Sequence, residues 1–200
     1  MAKPLIAVDV DDVLAASTES LRHVVNQTYD VNLSSEHYKV PGEYWGYYER
    51  VWQTHGIHEK VSLTELNGQM EHDQSHVPVQ VGAQAVLREL ANKYDLVILT
   101  ARDPSWRQAT ERWLDLHFPN TFSGIHFAGG HHDPEQKSKG DVCIQIGANW
   151  LIDDNIGHLQ TAIDKGVGAV LFGDYGWHVD VPAELVHCRT WKQVGAYFAK

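Results

Sequence analysis

Asp9, Asp11 and Asp12 stand directly behind an apolar run in "LIAVDVDDVLA", residues 5 to 15. Carboxylates repel one another and are expensive to bury, so three at the mouth of a core-type strand need a reason. Further along, "DLVILTAR" ends in Thr100, Ala101 and Arg102, "KSKGD" carries Lys137 and Lys139, and "NWLIDD" ends in Asp153 and Asp154. An all-oxygen donor set of this charge suits a hard divalent cation, and Mg²⁺ is held by one or two carboxylates together with phosphate oxygens. The chemistry that fits is phosphoryl transfer. Phosphate-ester hydrolysis is so slow unaided that a catalyst must supply about 20 kcal/mol. A carboxylate nucleophile divides the reaction into two steps through an aspartyl phosphate. A second acid two residues on can protonate the leaving alkoxide and then deprotonate the attacking water. Side chains at positions 9 and 11 of an extended chain point the same way, so both can face one substrate. Thr100 and Lys139 would grip the phosphoryl group.

Those residues meet only if their elements are neighbours. Four short apolar runs, "LIAVDV", "DLVILTA", "NWLIDD" and "GAVLFG", lack period-2 alternation, the pattern of strands covered on both faces. "IHFAG" is a weaker fifth. Helical stretches separate them. "VGAQAVLRELANKY" sets Ala83, Val86, Leu87 and Leu90 on one face, and "DPSWRQATERWLDLHF" opens on Asp103 and Pro104 with Trp106, Ala109, Trp113 and Leu116 at helical spacing. "SKGDVCIQIG" is capped by Ser138 and ends at Gly147, "IGHLQTAIDKG" closes on Gly166, and Thr190 caps "TWKQVGAYFAK". Alternating strands and helices predict an α/β, doubly wound (Rossmann-like) parallel sheet, whose ligands bind beyond the carboxyl ends of the strands. Residues 17–78 break the rhythm: "STESLRHVVNQTY", "EYWGYYERVWQTHG" and "SLTELNGQMEHD" read as helices, too much for a strand-to-helix loop. The expected organisation is a core of residues 1–16 and 79–200 with a small helical cap, 17–78, inserted after the first strand.

In order, "DVDDVL", "LTAR", a lysine at the head of a helix and "IDD" resemble the four motifs of the haloacid dehalogenase-like phosphohydrolase superfamily, across residues 9 to 154. That resemblance implies Asp9 as nucleophile, Asp11 as acid–base, Thr100 and Lys139 as phosphate binders, and Asp153 and Asp154 as a Mg²⁺ site to which Asp9 and the backbone carbonyl of Asp11 add ligands. The length, the short cap and "SKGDVC…GANWLIDDN" look most like 5'(3')-deoxyribonucleotidase-type enzymes. The chain departs from that narrower pattern at "TAR", where Thr-Ser is common, and at "DYGWH", where a Pro-Trp-Asn or Pro-Tyr-Asn segment is expected.

Several residues carry two readings. Ala101 and Arg102 would meet the substrate, or Arg102 would pair with a neighbouring acid. Asp12 sits where the superfamily often has Gly, and a solvent-facing or loop-structuring role competes with chemistry. Asp153 and Asp154 diverge as successive residues, so one would touch the metal and the other act through water or a hydrogen bond. Lys139 is preferred to Lys137 because it directly precedes the helix. Trp45 and Tyr47 are the candidates for stacking on a nucleobase, while Tyr44, Tyr48 and Trp52, at helical spacing, read as core. His55, His58 and the His131–His132–Asp133 run are read as surface loops rather than metal ligands.

The bulk numbers frame the partners. The net charge of −10 (His neutral) disfavours long nucleic acid, and 43% hydrophobic with 21% charged residues is ordinary for a folded globular protein. Cys143 and Cys188 read as buried free thiols. With no leader-type or membrane-length apolar stretch, the expectation is a cytoplasmic protein without a membrane partner. The oligomeric state is not legible. The expected function is a Mg²⁺-dependent phosphomonoesterase acting on a small phosphorylated metabolite, a (deoxy)nucleoside monophosphate in particular. The alternatives are a phosphatase of nucleic-acid ends or another phosphoester, C–halogen or C–P cleavage on the same fold, and a non-catalytic member that binds metal and phosphate.

Overall fold

In the computed structural model, which describes residues 3–129 and 137–199, the four strong apolar runs become adjacent parallel strands. These are β1 (Leu5–Val8), β2 (Asp95–Thr100), β4 (Trp150–Asp153) and β5 (Gly168–Phe172), with β3 (Ile125–Phe127) and β6 (Val186–Cys188) at the edges. The order is β3-β2-β1-β4-β5-β6, every pair parallel. Val8 lies opposite both Ile98 of β2 and Ile152 of β4, so the strand ends of β1, β2 and β4 are level. The chain runs outward from β1 through β2 to β3, then crosses back to β4. That reversal opens the crevice where doubly wound sheets bind ligands.

The strands are apolar on both faces because helices cover both. Ile6, Val8, Ile98 and Ile152 face α4 (Ala83–Leu90), α5 (Arg107–His117) and α8 (Trp191–Phe198) through Leu87, Trp113 and Trp191. Ala7, Leu99 and Leu151 face α6 (Lys139–Ile146) and α7 (Ile156–Ile163) through Cys143, Leu159 and Ala162. Cys143 and Cys188 are both buried and free. Between β1 and β2 the chain forms α1 (Ser17–Tyr29), α2 (Tyr47–Thr54) and α3 (Leu63–His72), with a 3₁₀ turn at Ser35–Tyr38. These pack on a core of their own, including Val25, Tyr38, Tyr47, Val51 and Trp52. That core also takes in Trp177, from the segment after β5.

Three local expectations need correction. Strand β6 has only three residues, too few to register as an apolar run. Helix α2 starts at Tyr47 rather than Glu43, because Gly46 adopts a left-handed conformation (φ +67°) just ahead of it. Leu116 is 64% exposed. The buried stripe of α5 is Ala109, Thr110, Trp113 and Leu114, which puts Leu116 roughly 90° round the helix from its middle. His55 and His58 are exposed as expected, whereas His131–His132–Asp133 lies outside the described residues.

One contact fixes the sheet's working edge. Helix α6 leans so closely on α7 that a Cβ on Gly140 would lie 2.0 Å from the Thr161 carbonyl oxygen, while the Gly140 N–H donates to Thr161 Oγ1 at 3.0 Å. Gly140→Ala is therefore expected to push α6 off α7 and lower unfolding free energy by about 3 kcal/mol. A denaturation midpoint equal to that of the parent would contradict this packing.

Candidate active site

Asp9 follows β1 and is buried; its N–H donates to Ile152 O at 3.0 Å, which ties it to β4. Asp153 closes β4, and Asp154 follows. One carboxylate oxygen from each of Asp9, Asp153 and Asp154 lies within 4.8 Å of the others, and all three residues are buried. Lys139, the first residue of α6, is fully buried against them, with Nζ 2.8 Å from Asp9 Oδ1 and 2.6 Å from Asp153 Oδ2. It is aimed there by its helix end. Ser138 caps α6 in a reciprocal box with Asp141, and the Gly140 contact holds the first turn against α7.

Charge is shared unequally in this cluster. Burial pushes Lys139 and Asp153 toward their neutral forms, but their mutual attraction wins: Asp153 is held far below the usual carboxylate range and Lys139 above the usual amine range. Asp153 also accepts from the Asn155 N–H at 2.9 Å, and His158 Nδ1 lies 3.3 Å away. Burial raises Asp9 to about 6 despite Lys139, and raises Asp154 well above its ordinary value, with Asp153 and Asp9 adding repulsion. Asp9 Oδ1 has the Lys139 ammonium 2.8 Å away, shared with Asp153, and Asp154 Oδ2 accepts from the Trp177 indole N–H at 2.9 Å. A set of buried oxygens short of positive charge fits a hard divalent cation.

Asp11 stands apart from that cluster. Its carboxylate forms a two-pronged pair with Arg102, Nε to Oδ2 and Nη2 to Oδ1, both at 2.7 Å. Ser17 Oγ donates to Oδ1 at 2.6 Å. Burial would raise the Asp11 carboxyl, but Arg102 outweighs it and holds the group below its ordinary value. The guanidinium is fixed from behind by Gln74 Oε1 at 2.6 Å and Thr110 Oγ1 at 3.0 Å. Of the two readings for Arg102, the ion pair is the one observed, although the residue also lines the cavity with Ala101. The Asp11 side chain is not among the clustered oxygens because Arg102 draws it away. Thr100 ends β2 buried, with Oγ1 accepting from the Arg102 N–H at 3.2 Å.

Asp12 structures the loop and is not solvent-facing. It is buried in a left-handed conformation (φ +53°), and its carboxylate accepts from Thr18 N–H at 2.9 Å and Thr18 Oγ1 at 2.7 Å, capping the start of α1. Lys137 is exposed and bonds Gln145, so Lys139 is the lysine at the carboxylates.

A cavity of about 640 Å³ opens beyond Asp9, Asp11 and Ala101 toward α1, α2 and α3. Trp45, Tyr44 and Tyr48 line it, as do Leu21, Met70 and Asn67. Tyr47 does not: it is 2% exposed and its hydroxyl donates to Tyr38 O, so its placement as a stacking residue is corrected. Counting helical spacing from Glu43 misassigned the faces, since the helix begins only after Gly46. Tyr44 and Tyr48 come to the cavity instead, and Trp52 is core as expected. Sequence reasoning also missed Ser17, Gln74, His158, Trp177 and His178. The departure at "DYGWH" was the available signal for the last two.

The comparisons agree with this fold. The family model described as 5' nucleotidase, deoxy (pyrimidine), cytosolic type C protein matches residues 3–173. No curated protein matches the chain. Similar solved structures include a conserved haloacid dehalogenase-like protein from Agrobacterium tumefaciens, with TM-score 0.65 and 16% identity over 99% of this chain and 98% of that one. A predicted phosphatase from Clostridium acetobutylicum gives 0.63 and 14% over 100% and 99%. A HAD-hydrolase from Bacillus subtilis, solved bound to magnesium, gives 0.61 and 12% over the whole of both chains.

Replacing Lys139 by Met would strand Asp9 and Asp153 without their shared counter-charge. In metal-free buffer Lys139→Met is expected to lose about 3–5 kcal/mol of stability. An unchanged urea midpoint would show that the lysine does not balance the cluster.

Proposed function

The chain belongs to the 5' nucleotidase, deoxy (pyrimidine), cytosolic type C protein family, a phosphatase and nucleotidase group of haloacid dehalogenase-like hydrolases, and from that premise we propose that it hydrolyses a small nucleoside monophosphate with Mg²⁺. The observation that carries the proposal is the buried trio Asp9, Asp153 and Asp154 around Lys139, opening on a cavity walled by aromatic rings.

Asp9 attacks phosphorus, forming the aspartyl phosphate as the ester P–O bond breaks. Asp11, which takes up a proton from solvent once the substrate displaces Arg102, gives it to the departing alkoxide oxygen. It then takes a proton from the water that attacks the aspartyl phosphate, releasing inorganic phosphate and restoring Asp9. In the state described, Asp11 is engaged by Arg102. Seating the substrate exchanges that partner for the leaving oxygen, which frees the guanidinium to face the phosphate. Thr100 and Lys139 steady the phosphoryl oxygens, and Mg²⁺ supplies further positive charge against them. Asp154 is the better direct ligand of the adjacent pair: among the described residues only its Oδ2 has a protein donor, whereas both oxygens of Asp153 are taken by Lys139, Asn155 and His158.

The substrate reading rests on the cavity. Its volume is in the range of small-molecule sites, and Tyr44, Trp45 and Tyr48 offer faces to a base. Residues 17–78 act as a cap that restricts entry to small substrates, and the −10 charge disfavours long nucleic acid. No helix of the described residues is long and apolar enough to cross a membrane; a cytosolic place of work belongs to this proposal.

Phosphate release from nucleoside monophosphates should exceed release from sugar phosphates and from an end-phosphorylated oligonucleotide. Asp9→Asn should lower it by more than about a thousand-fold. Equal turnover by the variant would remove Asp9 from its role, and preference for the oligonucleotide would overturn the substrate class.

Proton and cation compete for the same oxygens. Asp9, raised to about 6, and Asp154, raised well above its ordinary value, keep protons in the fold that they lose when unfolded. Their contribution to stability is full in acid and vanishes as pH climbs through the folded values, and there the cation takes over. His178, lowered to about 4 by burial, titrates with the opposite sign but with or without metal. The rise in melting temperature on adding Mg²⁺ is thus expected to be small near about pH 5 and large near about pH 7.5. A shift of one size at both would contradict cation binding at these carboxylates.

A further inference from the structure

The segment after β5, "DYGWH", reaches the carboxylate cluster at Asp154, whereas Lys139 reaches it at Asp9 and Asp153. Trp177 is buried, and its indole N–H donates to Asp154 Oδ2 at 2.9 Å. The next residue grips the same aspartate by its backbone: His178 Nε2 lies 2.7 Å from Asp154 O, and its Nδ1 faces the Tyr175 N–H at 3.4 Å, so Nε2 carries the hydrogen. Asp154 is thereby held at both side chain and main chain by one short loop. The ring itself is immobilised. Tyr175 stacks on it with centroids 4.6 Å apart and planes 10° from parallel, and Tyr47 meets it edge-on at 5.2 Å. Gly176 makes the approach feasible, because a Cβ there would lie 2.1 Å from the Tyr47 hydroxyl and 2.3 Å from Val40 O. Its carbonyl accepts from the Gly42 N–H at 3.0 Å.

A donor locked by packing and spent on one oxygen of a ligand carboxylate leaves the other oxygen turned toward the cation. We propose that Trp177 is a positioning residue for the metal site: it orients Asp154 so that Oδ1 faces the cation, and it anchors that orientation in the core of the helical segment 17–78. This rests on the reading that Asp9, Asp153 and Asp154 hold Mg²⁺, and it adds a residue outside the motifs of the resemblance. Trp52 supplies the control. It is equally buried in the same aromatic core, but its N–H is spent on the Tyr38 hydroxyl at 2.8 Å, away from the carboxylates.

Calorimetric titration of the full chain with Mg²⁺ alone tests the proposal without turnover. Trp177→Phe, which keeps a ring and removes the donor, is expected to weaken Mg²⁺ binding roughly 10- to 100-fold. Trp52→Phe is expected to lower the melting temperature but leave Mg²⁺ affinity at the parent value. In the parent, the Trp177 indole N–H resonance should move during the titration with the calorimetric midpoint while that of Trp52 stays, a readout that needs no folded variant. Parent-like affinity in Trp177→Phe, equal weakening in both variants, or a stationary Trp177 resonance would each overturn the proposal. Failure of the parent to bind Mg²⁺ would instead remove the metal reading beneath it.

Discussion

Three buried carboxylates and one buried lysine set the terms for everything around them. At no more than 4.8 Å, each pair of ionised carboxylates among Asp9, Asp153 and Asp154 repels by roughly 3 kcal/mol or more at an effective dielectric constant near 20. Lys139 neutralises one of them fully, and its closest partner, Asp153, is the one held ionised. The other two are left to protons or a cation. The fold is arranged to make that imbalance permanent. Placing β1 between β2 and β4 brings three polar strand ends level, and the tight α6–α7 contact at Gly140 drives the lysine into the acids instead of out to solvent. A lone buried charge relaxes by shifting its protonation, and Asp9 and Asp154 are both shifted toward their protonated forms.

The site divides into an inner and an outer half with separate charge balance. Inside, Lys139 serves Asp9 and Asp153; outside, Arg102 serves Asp11. The halves differ in exposure: the Asp11 side chain is 35% exposed, whereas those of Asp9 and Asp153 are 8% and 0%. This division would suit the proposed roles, a nucleophile that stays fixed and an acid–base that changes partners. Arg102 is itself held by Gln74, which lies just past α3, and by Thr110 of α5. The arginine thus joins Asp11 to the stretch where the chain returns from the helical segment to the sheet.

The sheet and the inner half of the site were legible because they rest on strong local signals. An apolar run ending abruptly in acids fixes a strand and its polar end together, and a Ser-Lys-Gly-Asp start fixes a helix with its lysine in the first turn. What escaped was set by tertiary contact. Strand β6 is three residues whose pairing with β5 gives them their conformation. The aromatic stretch at 44–52 was misassigned because one left-handed glycine decides where the helix starts, and with it which rings face the cavity. Arg102 offered two equally physical partners, and nothing local distinguishes them; Gln74 and Thr110, 28 and 8 residues away along the chain, do. Asp12 is different, since its loop-structuring reading holds: Ala16 at the head of α1 brings no side-chain cap, and the acid provides one from four residues upstream.

The departures from the nucleotidase pattern mark where this chain meets the common constraint in its own way. "DYGWH" lacks the expected proline and asparagine, but it delivers a donor to the Asp154 carboxylate, a donor to the Asp154 carbonyl and, through the Tyr175 hydroxyl, one to Asp12 O at 2.5 Å. Each is a backbone or carboxylate oxygen at the carboxyl edge of the sheet. The same loop stacks Tyr175 on Trp177 and sets Trp177 edge-on to Tyr47 and Tyr48, so the oxygens of the cluster and the aromatic core of the helical segment share one support. Displacing either would strain the other. A site built this way needs no long ordered lid to relate its cavity to its carboxylates, because five residues after β5 already do so.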